Sequence, residues 1–290
     1  DELREVGVEV LDYKDLKAAE KKAVRQDYYD SIFPLVTPQS IDPAHPFPFI
    51  SNLALNLLVE LRYPDGKSTS LARVKVPISA GAPRFVQIDE SMRFVRLEDV
   101  MANNLDLLFP EMEVLSCELF RVTRNANTSR NEEHAEDLLA LIESTLQDRK
   151  FSPIVRLQVQ PEMNPVHRGR LAAELGLHEG KDVFEVNGMM GMRDLWELVK
   201  LDLPKLKDPP HQPVDHPTLQ STRSIFHIIR EAKAILLQHP YESFSSSVER
   251  FLHESASDPK VRAIKMTLYR TSAEGNIIDA LIRAARNGKQ

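Results

Sequence analysis

The chain has 290 residues, 42% hydrophobic and 28% charged, the balance of a globular protein able to build one large domain or two ordinary ones. Its 37 basic residues stand against 43 acidic ones, a formal charge of -6, which excludes bulk coating of duplex nucleic acid but leaves room for a local basic cleft. A single cysteine, Cys117, excludes an intrachain disulfide framework and a thiolate metal cluster. Its apolar setting, from Val114 to Phe120, reads as that of an inert buried thiol. No apolar run reaches the roughly 20 residues that span a bilayer, and Asp1-Glu2-Leu3-Arg4-Glu5 is no signal peptide, so the expectation is a soluble, cytoplasmic protein.

Residues 16–33 read as a helix with Leu16, Ala19, Ala23, Val24 and Tyr28 on or near one face. Pro34, Pro38, Pro43, Pro46 and Pro48 then forbid helix. Residues 53–63 and 70–76 read as strands joined by Pro64-Asp65-Gly66-Lys67, hence a hairpin. A helix is expected over 97–108, a strand over 114–124, and a helix over 129–147 opened by the capping-box pattern Ser129-Arg130-Asn131-Glu132. In 154–160, Val155, Leu157 and Val159 alternate with Arg156, Gln158 and Gln160, as in a half-exposed strand. Asn164-Pro165 supplies an N-cap and N1 proline for a helix that Gly176 ends. A strand over 182–186 and a short helix over 193–200 follow. Strands mixed with helices and a hairpin predict an α+β domain.

Pro204, Pro209, Pro210, Pro213 and Pro217 mark the domain boundary. Beyond it strands over 234–237 and 261–269 alternate with helices over 247–255 and 277–286, the opening of a parallel α/β domain. Both ends read as cut. There is no initiator Met, and the chain stops just after the Asn287-Gly288 C-cap, where the next strand of a βα unit is due.

Two places could hold an anion. Arg270, at the carboxyl end of the last expected strand and followed by Thr271 and Ser272, stands where open α/β sheets bind ligands. By position alone a surface ion pair with Glu274 or Asp279 is the plainer reading. Arg121, Arg124 and Arg130 leave a strand toward a helix N-terminus, where a solvated strand end is again the plainer reading. None of the nine histidines forms a zinc pair, and His45 and His239 read as structural loop residues. There is no Walker A loop, dinucleotide fingerprint or nucleophile elbow; Gly188-Met189-Met190-Gly191 is too irregular for a phosphate loop, and Glu132-Glu133 lie on a solvent-facing helix.

Four motifs follow one another along the chain. They are Pro34-Leu35-Val36-Thr37-Pro38 with Ile41-Asp42-Pro43-Ala44-His45-Pro46-Phe47-Pro48; Phe120-Arg121-Val122-Thr123-Arg124-Asn125-Ala126; His239-Pro240-Tyr241-Glu242-Ser243-Phe244; and Ala263-Ile264-Lys265 through Leu268-Tyr269-Arg270. Through them the sequence resembles the bacterial polyphosphate kinases, which polymerise the terminal phosphate of ATP. The resemblance implies the end of an N-terminal helical domain over 1–30, an α+β head domain over 31–216, and over 217–290 the truncated start of the first α/β phospholipase D-like domain. It also implies ATP and polyphosphate as substrates, Mg²⁺, a homo-oligomeric enzyme and a phosphohistidine intermediate.

The family's histidine lies in an H-x-K context, and no histidine here has Lys two residues later, so the catalytic nucleophile is expected beyond residue 290 and the piece alone is expected to be inactive. The resemblance places Arg270 at the magnesium and phosphate site. A guanidinium cannot ligate a cation, so it would hold phosphate oxygens that the metal also contacts. Two other classes compete: a non-catalytic phosphate-binding or dimerisation module, and a phosphodiesterase of the phospholipase D fold. The second ranks last because the head motifs are present.

Overall fold

The structure, a computed structural model, describes residues 2–42, 46–125, 152–267 and 275–290. Arg270, Arg130, His45 and the helix expected over 129–147 lie outside the described residues. The chain divides into two compact units, Asp1–Leu201 and Asp202–Gln290.

In the first unit the strands are β1 (Glu9–Leu11), β2 (Gln39–Ile41), β3 (Leu55–Arg62), β4 (Thr69–Lys75), β5 (Phe85–Gln87), β6 (Arg93–Arg96), β7 (Glu113–Arg124), β8 (Ile154–Val159) and β9 (Val183–Glu185). Six form one sheet in the order β2-β4-β3-β7-β8-β9, and β1-β6-β5 form a small second sheet. The larger sheet is antiparallel except for β8-β9. β3 and β4 form the expected hairpin; Asp65 accepts the N–H groups of Lys67 and Ser68 at 2.9 and 3.0 Å, and Gly66 adopts φ 68° in the turn. β2 was not anticipated. It fits between Pro38 and Pro43 because an edge strand tolerates prolines at its ends.

Both faces of the large sheet are covered. Leu55, Leu57, Val59 and Leu61 of β3 face one core with Val24, Tyr28 and Ile32 from the successive helices Ala18–Asp27 and Tyr28–Ile32 and Val86, Val95 and Met101 around the small sheet. Leu58 faces a second core with Leu71, Phe120, Val122, Leu157 and Val159, closed by Leu171 of the helix Pro165–Glu174. That helix starts as expected: Asn164 Oδ1 accepts the Val166 N–H at 2.9 Å, with Pro165 at N1. It ends in a Schellman turn, where Gly176 at φ 68° allows Leu177 N–H to reach Ala172 O at 2.8 Å.

Two expectations are modified by local chemistry. The helix expected over 97–108 ends at Ala102, because the Asn104 side chain donates to Val100 O at 2.7 Å in place of the helical ladder; a 3₁₀ turn, Leu105–Leu107, follows. Val155 does not share the buried face of Leu157 and Val159. A bulge pairs Thr123 with Arg156 and Arg124 with Ile154, leaving Val155 unpaired and turned outward, 48% exposed.

Among its described residues the second unit holds the helices Ile225–Ala232, Arg250–Ser257, entered through the helical turn Ser245–Glu249, and Asn276–Arg286. Glu254 takes the Ile225 N–H at 2.7 Å and so caps the first helix with a carboxylate. The Asn287-Gly288 C-cap is present, with Lys289 N–H bonded to Ala284 O at 3.1 Å.

The expected strand over 234–237 is absent: Lys233 turns at φ 66°, and Leu236 is 89% exposed with no neighbouring backbone ladder. Residues 261–267 are likewise not a strand. Even so, Gln290 N–H donates to Arg262 O at 3.0 Å and Ile264 N–H to Gln290 O at 2.7 Å, the bonding pattern of adjoining parallel strands. A strand is defined by the ladder it shares, and here the ladder is one residue long. No helix among the described residues is long and apolar enough to cross a membrane.

Candidate functional site

At the end of the large sheet where β3 begins and β4 and β7 finish, the loop 51–54 borders a cleft of about 390 Å³, within the usual size range of small-ligand sites. Lys75 enters from the last residue of β4, Arg121 from β7, and Arg193 and Asp194 from the turn after Gly191. Lys75 Nζ lies 3.5 Å from Ser51 Oγ; Arg121 donates to Leu53 O at 3.2 Å and to Gln158 Oε1 at 3.3 Å. None of Lys75, Arg121 and Arg193 is in an ion pair among the described residues. Asp194, the acid of the lining, is engaged by Arg84 at 2.9 Å.

Burial holds the Arg121 guanidinium below its ordinary pKa, and burial together with the charge of Arg73 does the same to the Lys75 ammonium. Arg73 lies behind, 5% exposed, donating to Asn56 Oδ1 at 2.7 Å and Gln39 Oε1 at 2.5 Å, with no carboxylate partner among the described residues and with its Nη2 lacking one there as well. Burial pushes it down to about 10. Cations that lack counter-ions and are partly stripped of water gain most from an arriving anion.

The wall of the cleft is held by Arg84, which is fully buried. It donates to Glu98 Oε1 at 2.6 Å, to Gly191 O at 2.8 Å and to Asp194 Oδ2 at 2.9 Å, while its own N–H reaches Glu197 Oε2 at 2.9 Å. Gly191 sits at φ 68°, and a Cβ there would come 3.1 Å from Arg84 Nη1, so a side chain is disfavoured twice over. Gly188-Met189-Met190-Gly191 is thus a fixed wall rather than a phosphate loop.

The arginines singled out in the sequence separate. Arg121 faces the cleft. Arg124, three residues on, is no solvated strand end: it is 9% exposed, donates to Ile50 O at 3.0 and 2.9 Å and to Ser152 O at 2.6 Å, and lies 4.5 Å over the Phe49 ring. Alternation along β7 turns it inward with Phe120 and Val122. His239 is a local loop residue, its Nδ1 2.9 Å from Glu242 O and its ring edge-on to Phe244.

Lys75, Arg73, Arg193 and Arg84 were not singled out in the sequence. The available signal was Leu71-Ala72-Arg73-Val74-Lys75, two cations two residues apart in an otherwise apolar strand. Also missed was a buried pair in which His167 Nδ1 lies 2.6 Å from Glu118 Oε2, while Glu118 Oε1 accepts the Asn164 N–H at 2.6 Å; together they pin the 165–174 helix to β7. No group of three or more His, Cys, Asp or Glu that could hold a metal ion is present among the described residues.

The Cys117 thiol is pushed up to about 12 by burial and then by the charges of Glu118 and Asp99. At pH 8 a thiol of ordinary pKa near 8.5 is roughly one quarter thiolate, and one titrating near 12 roughly one part in 10,000. Alkylation by iodoacetamide at pH 8 is therefore expected to run at least about 100-fold slower on the folded chain than in urea. Equal rates would show the thiol to be accessible and reactive.

The fold is that of a mixed α/β protein whose first unit carries a cleft lined by Lys75, Arg121 and Arg193. The profile of the polyphosphate kinase middle domain matches residues 19–198, and that of polyphosphate kinase C-terminal domain 1 matches residues 224–290. A polyphosphate kinase of Mycolicibacterium paratuberculosis is 43% identical over 99% of this chain and 41% of its own length; one of Aphanizomenon baltica is 41% identical over 99% of this chain and 80% of its own. The crystal structure of polyphosphate kinase from Porphyromonas gingivalis superposes with a TM-score of 0.74 at 25% identity, covering 100% of this chain and 42% of that one. The chain belongs to the polyphosphate kinase family. It spans about two fifths of the length of the mycobacterial relatives it matches.

Proposed function

We propose that this chain supplies the end of a helical domain (1–30), the head domain (31–216) and the opening of the first phospholipase D-like domain (217–290) of a cytoplasmic, homo-oligomeric polyphosphate kinase. The observation that carries this reading is the match of two successive polyphosphate kinase domains in the family's order along one chain. The reaction moves the terminal phosphoryl group of ATP to inorganic polyphosphate. A histidine nitrogen attacks the γ-phosphorus and ADP leaves; a terminal polyphosphate oxygen then takes the phosphoryl group from the histidine.

No histidine among the 290 residues has the H-x-K context, so these residues alone lack the nucleophile and make no polymer. The described residues hold no cluster of three or more His, Cys, Asp or Glu for a metal ion; Mg²⁺, when bound, would offset the charge of the ATP phosphates. Arg270 grips those phosphate oxygens and offsets the charge of the loose transition state. A binding module without catalysis is the second reading, favoured by the basic cleft in the first unit.

Arg270→Ala, made in an enzyme of the relatives' full length that carries these residues, tests the proposal. Charge-assisted bonds worth roughly 1.5 to 3 kcal/mol each are lost, so kcat is expected to fall on the order of 10- to 100-fold with the melting temperature unchanged. Arg270→Lys recovers part of the rate, because the ammonium keeps charge but not the bidentate fork. Wild-type turnover in Arg270→Ala, or a lowered melting temperature fully rescued by Lys, would return Arg270 to a surface ion pair.

A further inference from the structure

We infer that the cleft beside the loop 51–54 is a binding subsite for the inorganic polyphosphate chain, carried by the first unit. Three cations meet there from three segments, Lys75, Arg121 and Arg193, and none has a carboxylate partner among the described residues. Among the described residues the lining carries these three cations against one acid, Asp194, which Arg84 engages at 2.9 Å, so the balance of charge in the cleft is positive. Behind Lys75 stands a fourth cation, Arg73, buried, with no counter-ion among the described residues and with its Nη2 unpartnered there. Folding places these like charges together against their mutual repulsion, and an anion with charge spread along its length relieves several of them at once.

The lining also decides between phosphate ligands. Among the described residues it contains no aromatic side chain on which a nucleobase would stack. Phosphate oxygens match what is present: a mobile ammonium at Lys75, planar guanidinium groups at Arg121 and Arg193, and the hydroxyl of Ser51. A chain of phosphates satisfies all of them, whereas ATP offers a short run of phosphates and a base with nothing to contact. The larger cleft of the second unit is less suited, because Arg223 there is held by Glu231 at 2.8 Å and the carboxylate of Asp258 also lines it. That the anion is polyphosphate rests on the proposed function; that the cleft takes a linear polyanion rests on its own residues.

The test is fluorescence anisotropy of end-labelled short-chain inorganic polyphosphate with the 290-residue chain. Arg121→Gln/Arg193→Gln should weaken binding at least about 10-fold, and adding Lys75→Met should weaken it further. Arg193 is exposed, so Arg193→Gln alone preserves the fold and should still cost a few-fold. Arg62→Gln, a surface ion-pair residue at the other end of β3, should stay within about two-fold. Unlabelled polyphosphate should displace the probe at phosphate concentrations at least about 10-fold below those of ATP.

Three results would overturn the inference: no binding by the wild-type chain, equal weakening by Arg62→Gln and the cleft variants, or displacement by ATP as effective as by polyphosphate. Turnover does not enter the measurement, so a failed cleft leaves the Arg270 proposal standing, and a failed Arg270 proposal leaves the cleft's binding intact.

Discussion

Arg84→Met is expected to destabilise the first unit by about 3 to 5 kcal/mol, the cost of breaking a buried ion pair by removing one partner. The Arg84 side chain is 0% exposed and that of Glu98 4%, so the carboxylate left behind has neither a cation nor water. Gly191 O and Asp194 lose their donor in the same step, and the turn that carries Arg193 loses its anchor. Arg84→Lys should recover little, because one ammonium cannot reach Glu98, Gly191 O and Asp194 in the fork geometry of a guanidinium. Arg84→Met/Glu98→Met removes both buried charges and should regain at least half of the loss. Urea denaturation followed by far-UV circular dichroism measures all three; a midpoint for Arg84→Met equal to wild type would show that the pair is not what holds the wall.

How much could be read in advance depends on the range of the interactions. The 165–174 helix was legible to the residue because its start and stop are local chemistry: an Asn cap, an N1 proline and a left-handed glycine. The β3-β4 hairpin was legible for the same reason, as Asp65 and Gly66 make the turn with their immediate neighbours. Failures began where the decisive partner is distant in sequence. Val155 alternates correctly on paper, but its orientation is fixed by a bulge opposite Thr123 and Arg124. Residues 261–267 have strand composition, but a strand needs a neighbour, and the shared ladder extends only to Gln290.

The site divides along the same line. Arg270 stood out because a family motif contains it, while the cations of the first-unit cleft come from segments more than 100 residues apart, from Lys75 to Arg193, and share no local pattern. Arg84 is the clearest case. Nothing in Ala82-Pro83-Arg84-Phe85 marks a fully buried ion-pair centre, since its partners Glu98 and Asp194 lie 14 and 110 residues away.

Arg124→Met and Arg121→Gln, three residues apart on β7, are expected to have opposite consequences. Arg124 ties Ile50 O and Ser152 O together and stacks on Phe49, so it joins the loop before β3 to the segment entering β8. Replacing it removes charge-assisted bonds of about 1.5 to 3 kcal/mol each; after partial rehydration of the strand end, a net loss of roughly 2 to 4 kcal/mol is expected. Polyphosphate binding by the folded fraction should stay within about two-fold of wild type, because Arg124 points away from the cleft lining. Arg121→Gln loses two long bonds, at 3.2 and 3.3 Å, from a guanidinium already disfavoured by burial, so its stability should change by less than about 1 kcal/mol. Urea midpoints and polyphosphate anisotropy measured on the two variants together make the contrast. A strand end that is merely solvated would give small, similar stability changes for both, and that outcome would defeat the structural role assigned to Arg124.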